Sequence, residues 1–163
     1  DPELFDAMLR YIENVPDRLH HPKEDQVLFP ALAQRTDAGR KLIEGLEHDH
    51  ARSEPMLGAL RKAFQLYCAG GLNGLNQLAT AVDDFAEFYW HHMRTEEQQL
   101  LPLAEAHLTL EDWQRVASAF GNNKDPLFGG ELAEDYRQLY QCIVVLTPHP
   151  LKTYLEDAAP GSA

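Results

Sequence analysis

HHPKEDQVLFP, from His20 to Pro30, returns 72 residues later as HMRTEEQQLLP, from His92 to Pro102. Laying one over the other matches His20 with His92, Glu24 with Glu96, Gln26 with Gln98, Leu28 with Leu100 and Pro30 with Pro102. Each copy is a His-x-x-x-Glu pair followed by a short apolar run. Residues four apart on a helix share a face about one turn apart, so each copy aims an imidazole and a carboxylate at one place. A metal ion asks for that kind of convergence.

The flanking sequence supplies helices to carry both copies. Asp1 and Pro2 read as an N-cap and first helical position, with Glu3 placed to suit the helix dipole. Phe5, Met8, Ile12, Val15, Leu19 and Val27 then keep helical spacing, and His20 and Glu24 fill the gaps in that row. Pro16 and Pro22 each remove a backbone donor and predict kinks. A turn from Thr36 to Gly39 leads into a second segment with the row Ile43, Leu46, His50, Ser53, Leu57, Leu60 and Phe64, stopped at Cys68-Ala69-Gly70-Gly71. His50 is the inward histidine of this row and His48, on another face, reads as solvated or capping; Pro55 leaves the register open between the two. A third segment, from about Gly74 to Ala106, carries Leu78, Ala81, Phe85, Phe88, His92 and Glu96 on one face, with His91 off it, as His21 is off the first.

Thr109 reads as the N-cap of a short helix with Glu111 and Asp112 in its first turn, Trp113, Val116 and Phe120 on one side, and Gly121 at its end. The turn-rich NNKDPLFGG, residues 122–130, precedes an expected final helix over about 131–146, with Leu132, Tyr136, Leu139, Tyr140 and Ile143 inward. The tail from Thr147 reads as loop, and His107 and His149, outside any His-Glu spacing, as surface residues. No strand signal is strong anywhere, so the fold class is all-α.

At 163 residues and 44% hydrophobic, the chain is long enough for one domain with its own core. A formal charge of −12, spread along the chain, argues against nucleic acid and against an anionic membrane surface as partners. The longest unbroken apolar run, Ile143 to Leu146, is far short of a membrane span, and no basic-plus-apolar signal segment opens the chain. Cys68 and Cys142, neither in a CxxC spacing, fit a reducing compartment, so a cytoplasmic protein is expected.

His20, Glu24, His50, His92 and Glu96 are thus the candidate metal ligands. Burying five polar groups without a partner would cost several kcal/mol. Imidazole with carboxylate suits Fe, Mn, Zn or Ni, and the rows hold no cysteine for a thiolate site. Five donors are too many for a single zinc and about right for two ions in a bundle core, with the glutamates bridging.

Together HHPKEDQVLFP, LEHDHAR and HMRTEEQQLLP resemble the signatures of the hemerythrin family, specifically its bacterial HHE cation-binding branch, over roughly Asp1 to Ala106. The resemblance implies an up-and-down four-helix bundle around two iron ions joined by an oxo or hydroxo bridge. Its ligand positions fall on His20 and Glu24, on His50 or less favourably His48, and on His92 and Glu96. Some members place an aspartate five residues after the last histidine; here Thr95-Glu96-Glu97 supplies glutamate at four, as in the HHE branch. The expected division is a hemerythrin-like domain over 1–120 and a C-terminal helical extension and tail over 121–163.

The family has a helix ahead of the first repeat that brings a further histidine, and no residues upstream of Asp1 provide it in this sequence. Either that helix precedes the chain as given or it is absent. In the second case either the last helix or a second copy, as a homodimer, would cover the open side. Tyr136 and Tyr140 in the last helix bring no histidine to replace the ligand. The resemblance further implies O2 or NO binding, or oxygen and redox sensing. The alternatives are a di-iron enzyme of peroxidase-like or iron-oxidising type, an iron supply or repair protein, and a helical interaction domain with a relic site. Binding is favoured over catalysis because no nucleophile motif, phosphate loop or dinucleotide fingerprint is present.

Overall fold

Residues 1–71, 73–121 and 143–147 are described by the structure, a computed structural model, and among them there is no strand. They fall into two compact units, Asp1–Pro22 with Ala117–Ala163, and Lys23–Val116. Among the described residues no helix is long and apolar enough to cross a membrane.

In the first unit, helix α1 (Pro2–Ile12) opens on Asp1, whose Oδ1 accepts the backbone N–H groups of Glu3 at 2.9 Å and Leu4 at 3.3 Å. That carboxylate satisfies two of the four donors every helix start leaves over. The chain stays helical through Pro16 instead of breaking. Residues Glu13–His20 open into wider π-helical turns, and the His21 N–H reaches back five residues to the Pro16 carbonyl. A proline ring crowds the carbonyl four residues earlier and offers no N–H, so a wider turn accommodates it at the place where the sequence predicts a disturbed helix. Ala7, Leu9 and Val15 are buried, whereas Met8, expected inward, is exposed. Phe5, Leu9 and Ile12 keep helical spacing as well as Phe5, Met8 and Ile12 do, and the structure takes the former.

The second unit begins within a short α2 (His21–Lys23), passes through a π-helical turn at Glu24–Leu28 and continues as α3 (Phe29–Arg35). After the turn at 36–39 comes α4 (Arg40–Cys68), and then α5 (Gly74–Thr95). A second π-helical turn, Glu96–Leu100, leads into α6 (Leu101–His107). The two π turns fall on the two copies of the repeat. In each, an N–H bonds the glutamate carbonyl five residues back, Phe29 to Glu24 and Leu101 to Glu96. In each, a proline follows at once, Pro30 or Pro102, crowding the carbonyls of Gln26 or Gln98. A wider turn takes more residues to come round, so the inward position after Glu24 is Leu28, 3% exposed, and not Val27.

Helices α4 and α5 pack on each other as an antiparallel hairpin, since Tyr67 meets Gly74 at the turn and Arg52 meets Phe88 farther along. The turn closes α4 with a Schellman cap, Gly71 N–H to Leu66 C=O and Gly70 N–H to Tyr67 C=O, which requires the positive φ of 75° that Gly70 supplies. Gly74 is needed for a different reason, as a Cβ there would lie 2.8 Å from the Tyr67 Cα. The expected inward row of α4 is the observed one: Ile43, Leu46, Ser53, Leu57, Leu60 and Phe64 are all buried. Pro55 sits on the exposed side and α4 runs through it.

Helix α7 (Leu110–Gly121) starts at Thr109, as its sequence predicts. Asp112 does more than populate its first turn. It accepts the Thr109 N–H at 3.0 Å and hydroxyl at 2.8 Å, returns its own N–H to Thr109 Oγ1 at 3.2 Å, and closes a capping box. Arg35, at the end of α3, grips the same carboxylate with two nitrogens at 2.7 and 3.2 Å, and Arg115 adds a third donor group. Asp112 is 1% exposed, so this network ties the end of α3 to the start of α7. The final helix expected over about 131–146, with Leu132, Tyr136, Leu139 and Tyr140, lies outside the described residues save for residues 143–146, which are helical.

The hydrogen bond from Arg35, with those of Thr109 and Arg115, holds the Asp112 carboxyl well below the usual carboxylate range. A depressed pKa stabilises the fold at pH values above the unfolded pKa of about 3.9, and the contribution fades as pH falls below it. Asp112→Asn therefore lowers the melting temperature near neutrality, and its gap from the wild type narrows as the pH falls below about 4. Thermal melts followed by circular dichroism at several pH values measure that gap.

Candidate metal centre

Three helical strokes of the second unit deliver four side chains to one place. The π turn before α3 presents Glu24, α4 presents His50, and the end of α5 with its π turn presents His92 and Glu96. Glu24 is 4% and His92 3% exposed, and the side chains of His50 and Glu96 are 6% and 15% exposed. The Nε2 of His50 lies 3.5 Å from Glu24 Oε2 and 4.0 Å from Glu96 Oε1, and the Nε2 of His92 lies 3.0 Å from Glu96 Oε1. The imidazole rings of His50 and His92 meet edge to face with centroids 4.9 Å apart. Phe29 stacks on His50 at 5.6 Å, while Phe88 stacks on His92 at 6.4 Å, giving the polar cluster apolar walls.

Glu24, His50 and His92 each offer a ligand atom within 4.8 Å of the others, a His/Glu cluster able to hold a metal ion. Bonds of about 2.0–2.2 Å to imidazole nitrogen and carboxylate oxygen place neighbouring ligand atoms about 3 Å apart, close to the separations found. The donor set is nitrogen and oxygen without sulfur, which suits iron, manganese or zinc. The residues present therefore fit the cation that the repeat predicts.

Of the sequence-predicted ligands, Glu24, His50, His92 and Glu96 are brought together within the second unit. His20 belongs to the first unit, its ring edge-on to Phe120 with centroids 5.2 Å apart. His21, set aside in the sequence reading, is buried there with its Nδ1 3.4 Å from Asp17 Oδ1. His48, His91 and His107 are exposed, and His149 lies outside the described residues.

Two residues escaped the sequence reading. Asp25 Oδ1 accepts a hydrogen bond from the Nδ1 of His50 at 2.7 Å, and Asp49 Oδ2 lies 3.8 Å from the Nδ1 of His92. Each aspartate is adjacent in sequence to a candidate ligand, Glu24 or His50, but stands behind a histidine on the next helix. Periodicity along one helix carries no sign of such a cross-helix pairing. Burial opposes the charged form of His50, but hydrogen bonds to Glu96 and Asp25 and the charges of Asp25 and Glu24 outweigh it and raise its pKa.

The family model described as Hemerythrin HHE cation binding domain matches residues 2–104. No curated protein and no solved structure matches the chain.

A raised histidine pKa stabilises the metal-free fold below the unfolded value of about 6.5, and the contribution is lost as pH rises through the folded pKa. A metal ion needs the neutral ring, so binding displaces that proton and tightens over the same window. Zn2+ at a hundredfold excess over its Kd should stabilise the protein by about 2.7 kcal/mol, raising Tm by about 5–10 °C. At a fixed Zn2+ concentration the gain grows with pH as Kd falls, and it is mostly lost in His92→Ala. Differential scanning calorimetry with and without Zn2+ checks both.

Proposed function

We propose, for a chain that belongs to the hemerythrin HHE cation-binding domain family, that Glu24, His50, His92 and Glu96 hold iron and that the protein is a non-haem di-iron protein binding O2 or NO. The observation that carries this reading is the meeting of two imidazoles and two carboxylates from three helical segments in a largely buried, thiolate-free cluster. Iron bound there supplies a redox couple and reversible coordination of a small diatomic ligand.

The protein's own residues set the conditions for that chemistry. Glu24 and Glu96, both near the His50 Nε2, would be the carboxylates available to two ions, the kind of donor that bundle cores use for paired metals. Close carboxylates repel when both are ionised, and cations between them remove that penalty. The Phe29 and Phe88 rings stacked on His50 and His92 give the histidines apolar neighbours in place of water. Glu96, at 15%, is the most exposed side chain of the four.

Iron analysis and an absorption spectrum in air test the proposal, followed by anaerobic titration with O2 and NO. About two irons per chain, near-ultraviolet charge-transfer bands, and about one diatomic ligand taken up per pair and released unchanged are expected. A single zinc, or no metal, would contradict it. Catalytic consumption of peroxide or ferrous iron would place the protein among di-iron enzymes instead.

A further inference from the structure

The geometry points to Asp25 and Asp49 as positioning residues that act on the metal centre through His50 and His92 and give the two histidines unequal donor strength. This inference rests on the metal reading above. The Nδ1–H of His50 donates to Asp25 Oδ1 at 2.7 Å, a short charge-assisted bond. That bond fixes the ring's orientation and leaves Nε2, directed toward Glu24 and Glu96 at 3.5 and 4.0 Å, as the nitrogen that would ligate a metal once its proton is displaced. A carboxylate behind a ligating imidazole also makes it a stronger donor.

His92 has the same arrangement in a weaker form. Asp49 Oδ2 is 3.8 Å from its Nδ1, beyond hydrogen-bond length, and the other oxygen of Asp49 accepts from Arg52 Nη1 at 3.5 Å. The Arg52 guanidinium is itself held 5.2 Å over the Phe88 ring, which also stacks on His92. Asp49 thus divides its charge between His92 and a neighbouring cation, while Asp25 serves His50 at hydrogen-bond distance. The two pairs follow one rule, in which a helix supplies the carboxylate behind the next helix's histidine, and differ in strength.

Co2+ titration of the whole chain tests the assignment, because its ligand-field absorption reports donor strength as well as affinity. Asp25→Ala is expected to weaken Co2+ binding by about 10–100-fold and to shift the ligand-field band, with the far-UV spectrum unchanged. Asp49→Ala is expected to cost less, about threefold to tenfold. Asp84→Asn, on the exposed side of α5, serves as the control. Should Asp25→Ala fail to fold, Asp25→Asn carries the test: it keeps an acceptor oxygen and loses the charge, and at least a threefold loss is expected, on the order of the weaker effects of such partners. Losses within about twofold at Asp25, or a larger loss at Asp49 than at Asp25, would overturn the inference while leaving the wild-type metal site standing. A wild-type chain that takes up no Co2+ and no Fe2+ would remove the metal reading, and this inference with it.

Discussion

Placing Glu24 and Glu96 beside His50 and His92 inside the protein is the constraint on which the rest of the second unit depends. An ionised carboxylate removed from water costs several kcal/mol unless a charge or hydrogen bond compensates it. In the metal-free protein part of that compensation comes from a His50 that holds its proton more tightly than usual, flanked by Asp25, Glu24 and Glu96. A divalent cation held by these four donors would compensate better. Folding and metal binding would then be linked through the same atoms, beside the apolar rings of Phe29 and Phe88.

The backbone bends to this constraint at two matched places. Pro30 and Pro102 each follow a glutamate by six residues, and in each case the intervening turn widens so that an N–H reaches that glutamate's carbonyl. Such turns recur at functional sites because they change where a side chain points without ending the helix. Here they let one continuous helical stroke present a polar ligand and, a turn later, Leu28 or Leu100 to the core. Away from the cluster, Asp112 fastens the ends of α3 and α7 with a network made of the same materials, a buried carboxylate and several donors, for a structural purpose.

Much of this was legible in the residues. The doubled His-x-x-x-Glu spacing named both glutamates and His92, which the second unit brings together, and His20, which lies in the first unit; the three-and-four rhythm of α4 put His50 rather than His48 on the core side. Both readings rest on properties of a single helix, which sequence periodicity reports well. What was not legible came from pairs of helices or from backbone adjustment. Met8 and Leu9 fit a helical row equally, and only packing chooses between them. Proline predicts a disturbed turn, but a kink and a π turn look alike in sequence. Asp25 and Asp49 are unremarked acidic residues until another helix sets a histidine against them.

Anomalous diffraction at the iron absorption edge from iron-loaded crystals shows whether Glu24, His50, His92 and Glu96 are metal ligands. Anomalous density is expected within bonding distance, about 2.0–2.2 Å, of the His50 and His92 Nε2 atoms and the Glu24 and Glu96 carboxylates. Anomalous density elsewhere on the chain, or none among these four side chains, would contradict that assignment.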